Sequence, residues 1–125
     1  MCDGEFTKIT PSPRCWIYPG GHGSLTVPYA IKHSCNEFFF NVGYDLGIQN
    51  GSFVDSVGID KLKKYCDLYG LTTKSGIEIA ENDPVVSSQD AVRTSIGQGN
   101  VGYTTIGLAD RKSTRLNSSH VKLSR

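Results

Sequence analysis

Leu25-Thr26-Val27-Pro28-Tyr29-Ala30-Ile31-Lys32, then Ser34-Cys35-Asn36, then Glu37-Phe38-Phe39-Phe40-Asn41-Val42-Gly43-Tyr44: the triplet sits between two helical patterns. Thr26 suits an N-cap and Pro28 is tolerated in a first helical turn, which predicts a short helix from Val27 to about His33. A second helix should run from Cys35 or Asn36 to Leu46. Phe38, Phe39, Val42 and Leu46 fall at the three-to-four-residue spacing of a buried stripe, and Gly47 suits the residue that ends it. Phe40 lies one position off that stripe, which implies a helix packed on two sides.

Working outward, residues 1–24 read as irregular or extended. Pro11, Pro13, Pro19 and the Gly20-Gly21 pair break any helix there. Residues 49–56 read as a polar loop. A third helix is expected from about Val57 to Tyr69. Ile59, Leu62, Tyr65-Cys66 and Tyr69 repeat on one face, the lysines at 61, 63 and 64 face water, and Gly70 ends the run. Gly76 to Asn82 suits a short strand or extended arm, followed by a loop at Asp83-Pro84. A weak helix over Ser87 to Arg93 and a turn over Ile96 to Asn100 complete the body. Thr104 is an N-cap candidate for a helix beginning with Ile106 and Leu108.

A chain of 125 residues with 38% apolar content can bury one modest core. The net charge of +1 gives no reason to expect a nucleic-acid partner. Five of the 13 basic side chains and one of the 12 acidic ones lie in residues 110–125, leaving residues 1–109 with a net charge of −3. No apolar run approaches the ~20 residues that span a bilayer, and no signal-peptide core is present.

Cys2, Cys15, Cys35 and Cys66 are too few for a disulfide scaffold and fit no zinc spacing such as C-x-x-C. Cys35 and Cys66 fall in helical patterns and read as small buried apolar groups. Cys2 and Cys15 flank a short extended stretch and are able to meet across a hairpin. With Asp3 and His22 near in sequence, they alternatively form part of a metal site. Structural thiols are the preferred reading, so neither a metal nor a cofactor is expected.

The triplet belongs to a longer frame: His22-Gly23-Ser24-Leu25, Ser34-Cys35-Asn36-Glu37-Phe38-Phe39, Tyr69-Gly70-Leu71, Ser75-Gly76-Ile77 and Ile96-Gly97-Gln98-Gly99. In order and spacing, from about Cys2 to Ala109, this frame resembles the transpeptidase domain of class B penicillin-binding proteins. The resemblance implies a fold class: mainly α with short extended segments, the helical portion of the penicillin-binding-protein/β-lactamase-like α/β transpeptidase fold, incomplete. It implies that residues 1–109 are part of a D,D-transpeptidase domain that cross-links peptidoglycan through an acyl-serine intermediate. The implied partners are the peptidoglycan stem peptide and β-lactams. The implied location of the parent is the extracytoplasmic face of the bacterial cell membrane, with any anchor outside this chain. A β-lactam-sensing receptor domain or a catalytically dead homologue would share the same triplet.

Penicillin-recognising serine enzymes use S-x-x-K, S-x-N and K-T-G or K-S-G motifs. Ser119-His120-Val121-Lys122 has the first pattern but follows the triplet, whereas the family places that motif before it. Lys74-Ser75-Gly76 has the third pattern, only 40 residues after Ser34, and resembles instead a structural turn of the family that leads into an extended arm. Ser34-Cys35-Asn36 therefore remains as the active-site material, and the chain alone is expected to be inactive.

The resemblance implies that Ser34 relays a proton between the nucleophile, the family's lysines and the leaving amine, since a hydroxyl donates and accepts at once. It implies that Asn36 donates to a substrate carbonyl and accepts from the lysine of S-x-x-K, while Cys35 points away and packs. The alternative is that Ser34 caps the following helix and Asn36 is a turn residue. Gly97, Gln98 and Gly99 correspond to a turn at the rim of the substrate groove, where glycines let the backbone pass closely. His22 reads as a structural hydrogen-bonding group.

After Ala109 the composition changes. Asp110-Arg111-Lys112-Ser113-Thr114-Arg115-Leu116-Asn117-Ser118-Ser119-His120 resembles the translation of a synthetic sequencing-library adapter. Residues 110–125 are accordingly expected to be an artefactual, disordered tail with no function.

Overall fold

The computed structural model describes residues 1–103 together with Leu108 and Ala109. Helix α1 spans Val27–Lys32, α2 Asn36–Leu46, α3 Asp55–Leu68 and α4 Ala91–Thr94. Between α2 and α3 stand the only two strands among the described residues, β1 (Ile48–Gln49) and β2 (Ser52–Phe53). The architecture is mainly helical with a small two-stranded sheet, which is compatible with a piece of a larger fold.

Three of the expected helices are present. Thr26 is the N-cap of α1 with proline in its first turn. Helix α2 ends at Gly47 and α3 ends before Gly70. The segment expected as a polar loop is instead a hairpin, with Ile48 opposite Phe53 and Gln49 opposite Ser52. Asn50 and Gly51 both have positive φ, 53° and 80°. Asn-Gly is the pair that tolerates such a turn, whose twist matches that of paired strands.

The face that α2 buries also differs from the expected stripe. Glu37, Phe40 and Gly43 are its buried residues, and Val42 is exposed. Phe38 and Phe39 are half-buried against a cluster of Cys2, Cys15, Ala30 and Cys35. Phe40 faces a second cluster with Phe6 and Val92. The two-sided packing implied by Phe40 is therefore present, and the deeper side is the one with the glycines. A Cβ on Gly43 would lie 2.7 Å from the Ala91 carbonyl oxygen, and one on Gly58 would lie 2.7 Å from the Ala91 Cβ. These glycines let α4 press on α2 and α3 at backbone distance, a contact that hydrophobicity scales do not register. Gly43→Ala should cost about 1–3 kcal/mol through this overpacking, read as a lower urea midpoint.

Helix α4 is shorter and begins later than the expected Ser87–Arg93. Its start is fixed from outside: the Asp55 carboxylate accepts from the backbone N–H groups of Asp90 and Ala91, each at 2.7 Å. The Asp90 carboxylate accepts from the Arg93 N–H at 3.0 Å. The Arg93 guanidinium donates to Asp90 and, at 2.6 Å, to the Pro11 carbonyl, which ties the N-terminal segment to α4. On α3, Ile59 is buried, whereas Tyr65, Leu68 and Tyr69 are exposed, so only the first half of the expected apolar face is covered.

Gly76 to Asn82 forms no strand. The Glu81 carboxylate gathers the N–H groups of Ser75, Gly76 and Ile77 at 2.9, 3.0 and 3.2 Å. These donors, Ser75 foremost, hold the Glu81 carboxyl below its ordinary value of 4.5. Because the folded value is the lower one, the contribution is present above the ordinary value and is lost as pH falls through the folded one. The protection of the Ser75–Ile77 amides, measured against their intrinsic exchange rates, should therefore fall on acidification, and Glu81→Gln should weaken the loop at neutral pH. The expected turn after Ile96 is present, with positive φ at Gly97 and Gly99. Thr104, Ile106 and the tail from Asp110 lie outside the described residues.

Candidate functional site

The triplet occupies the corner between α1 and α2. Ser34 has φ 51°, a left-handed conformation that side chains other than glycine rarely adopt. Several contacts hold it there. The Ser34 N–H donates to the Ile31 carbonyl at 3.1 Å, and the Trp16 indole N–H donates to the carbonyls of His33 and Ser34 at 3.2 and 3.1 Å. The N-cap of α2 is Cys35, whose Sγ accepts from the Phe38 N–H at 3.5 Å. Cys35 is wholly buried while Ser34 is exposed. Capping is thus done by the cysteine, and the serine hydroxyl is left on the outer side of the corner.

Ser34, Cys35 and Asn36 line an open groove of about 620 Å³ together with Ile31, Phe39, Ser95 and Ile96. The groove brings Ser34 and Asn36 together on one wall. Ser95 and Ile96 come from the chain immediately before Gly97, Gln98 and Gly99, and the glycine turn itself is exposed beside them. The Ser95 hydroxyl donates to the Phe39 carbonyl at 2.7 Å, which fixes this segment to α2. Neither Trp16 nor Ser95 was singled out in the sequence. A lone exposed tryptophan and a serine after a short helix carry no periodic signal.

Behind the corner lies a second group, of which the sequence offered Cys2, Cys15 and His22 as an alternative reading together with Asp3; Cys35 takes the fourth place instead. Ligand atoms of Cys2, Cys15, His22 and Cys35 all lie within 4.8 Å of one another. An isolated antiparallel bridge pairs Cys2 with Gly23, and a second pairs Glu5 with Arg14. Together they fold residues 1–24 into an irregular ribbon whose thiols meet, as expected for a hairpin. The buried Glu37 carboxylate accepts from the Gly4 N–H at 2.7 Å and draws the ribbon onto α2. His22 points Nδ1 at the sulfurs, 3.4 Å from Cys2 and 3.6 Å from Cys15. Its Nε2 is buried with no hydrogen-bond partner among the described residues.

The expectation that Cys35 merely packs is therefore incomplete, since it joins both the triplet and this cluster. All three thiols are free and buried. Burial pushes the Cys2 thiol up to about 12 and also raises Cys35. At Cys15 burial acts in the same sense, but N–H groups of Ile17, Glu37 and Asn36 outweigh it and hold the thiol below its ordinary value. Three thiolates and one imidazole form a donor set suited to a tetrahedral Zn²⁺-like ion. Zn–S bonds of about 2.3 Å require donors about 3.8 Å apart, so the cluster would need to contract only slightly. The spacing signal is weak because the four ligands are distributed over a ribbon and a helix start, with no C-x-x-C pair.

No protein-family model matches the chain. Among curated proteins the similarity is to a class of cell-wall enzyme, peptidoglycan D,D-transpeptidases. The relatives are the peptidoglycan D,D-transpeptidases MrdA of Escherichia coli strains K12, O6:H1 and O157:H7, each 26% identical over 148 aligned positions that cover 96% of this chain. The chain spans 22% of the length of these relatives. No helix among the described residues is long and apolar enough to cross a membrane.

Proposed function

We propose that residues 1–109 are a segment of a penicillin-binding D,D-transpeptidase domain, the segment that carries its S-x-N corner. The observation that carries this reading is the shared groove wall of Ser34 and Asn36, in a chain distantly similar to peptidoglycan D,D-transpeptidases. In this reading the exposed Ser34 hydroxyl passes a proton during acyl transfer, and the Asn36 amide orients the substrate and a lysine contributed from outside residues 1–109. The acceptor and donor strands of peptidoglycan are the substrates, β-lactams acylate the same enzyme, and the parent works at the outer face of the cell membrane. Residues 110–125 take no part.

Residues 1–109 contain no S-x-x-K pattern. The test is therefore a comparison of this chain with the same segment inside a protein of the relatives' full length. Each is incubated with a fluorescent penicillin and resolved on a denaturing gel. The full-length protein should give a stable covalent band and the 125-residue chain none. A band on the short chain, or none on a folded full-length protein, would overturn the reading. The second result would favour a catalytically dead homologue.

A further inference from the structure

We propose that Trp16 is a positioning residue for Ser34: one indole N–H, bonded to two successive backbone carbonyls, sets the torsions of the S-x-N corner and so the direction of the Ser34 hydroxyl. The role in acylation rests on the transpeptidase reading above, whereas the clamp itself stands on geometry alone.

The end of α1 leaves Ser34 under strain. The Ser34 N–H donates to the Ile31 carbonyl at 3.1 Å, and the Cys35 N–H donates to the Ala30 carbonyl at 2.9 Å. These two bonds make the helix stop in which the residue past the C-cap turns left-handed, and glycine is its usual occupant. Serine stands there instead, with φ 51°, and its Cβ makes that conformation costly. Keeping a hydroxyl at this position calls for more restraint than the two helix-end bonds that suffice for glycine.

Trp16 supplies that restraint. Its Nε1–H lies 3.2 Å from the His33 carbonyl oxygen and 3.1 Å from that of Ser34. Those carbonyls belong to the two rigid peptide planes that meet at the Ser34 Cα, and the rotations between the planes are the φ and ψ of Ser34. A single donor shared by both oxygens therefore fixes both torsions at once. The Cβ direction follows, and with it the wall on which Ser34 and Asn36 face the groove.

The indole is placed for this contact rather than for burial. Trp16 is 63% exposed, beside Cys15 at 2%. The Cys15 N–H donates to the Gly4 carbonyl at 2.9 Å, and the Cys15 carbonyl accepts from the Tyr18 N–H at 3.1 Å. Trp16 thus projects from an anchored turn. Its ring meets His22 edge-on, with centroids 5.3 Å apart. A phenyl ring retains an aromatic neighbour for His22 and loses the donor.

The test is Trp16→Phe in a transpeptidase of the relatives' full length, alone and combined with Ser34→Gly. Acylation by a fluorescent penicillin and a melting curve are measured for each variant. Trp16→Phe should lower the saturating acylation rate by about 10- to 100-fold, as expected for a displaced relay, and leave the half-saturating penicillin concentration unchanged. In the Ser34→Gly background, which has no hydroxyl to aim, it should change the rate by about twofold at most. A merely structural tryptophan would slow both backgrounds alike. In the 125-residue chain Trp16 is the one tryptophan, so its indole N–H resonance reports the clamp directly. That proton should exchange slowly with solvent, and Trp16→Phe should shift the amide resonances of Ser34 and Cys35.

Parental acylation by Trp16→Phe, or equal losses in the two backgrounds, would overturn the positioning role and leave the transpeptidase reading standing. A freely exchanging indole in the folded chain would overturn the clamp, a measurement that needs no substitution and decides the matter even if Trp16→Phe does not fold. No acylation of the folded full-length parent would overturn the transpeptidase reading and the role in acylation with it.

Discussion

Ser34→Ala, placed in a transpeptidase of the relatives' full length, should slow acylation by a β-lactam by about 10²–10⁴-fold while the melting temperature stays within a degree or so of the parent. The rate loss follows from removing a positioned proton relay. The unchanged stability follows from the structure, because α2 is capped by Cys35 Sγ and not by the Ser34 hydroxyl. If Ser34 were the cap, truncation would instead cost about 0.5–2 kcal/mol and leave the rate alone. Ser34→Gly sharpens the comparison. With φ at 51°, glycine removes a strain of about 1–2 kcal/mol, so this variant should be slightly more stable yet acylate as slowly as the alanine variant. Parental acylation rates in both variants would remove Ser34 from the mechanism.

Phe40→Ala should destabilise the chain by about 3–5 kcal/mol, which would unfold a domain of ordinary marginal stability. Phe40 is 1% exposed and joins Phe6 of the ribbon to Val92 of α4, with Tyr44, Phe53 and Ile96 around them. The Phe6 and Phe40 rings lie 6.1 Å apart and tilted. Few local contacts substitute for such a hub, since α4 has four residues and the ribbon has no regular strand pairing. Urea denaturation followed by circular dichroism measures the effect. Phe38→Ala, at a half-buried position, is the comparison and should cost less. Equal effects would mean that the cysteine-lined side of α2 carries as much of the packing as the Phe40 side.

Local sequence was enough for the elements whose limits are set by the chain's own neighbours. Pro28 lies in the first turn of α1, whose N-cap Thr26 makes no side-chain capping bond, Gly47 and Gly70 stop α2 and α3, and the glycines after Ile96 make a turn. Helical periodicity and stop residues act over a few positions, so they are legible in one dimension. The hairpin at Asn50-Gly51 was legible too, because that dipeptide with a β-favouring residue on either side is a turn signal. It was missed because each strand has only two residues.

Tertiary structure decided which face of α2 is buried. The three-to-four-residue spacing favours the largest apolar side chains, whereas close approach of α4 favours Gly43, where a side chain would collide with the Ala91 carbonyl. It also decided where α4 begins, since the Asp55 carboxylate that receives the Asp90 and Ala91 N–H groups stands 35 and 36 residues away. The Ser34 and Asn36 pair could be named from the sequence because the motif is contiguous. Of the cluster, Cys2, Cys15 and His22 were open to grouping as an alternative reading, but Cys35 was not, because it comes from a helix cap distant in sequence from the ribbon. Only the folding of that ribbon onto α2, through the hydrogen bond from Gly4 to Glu37, brings them within reach of one ion.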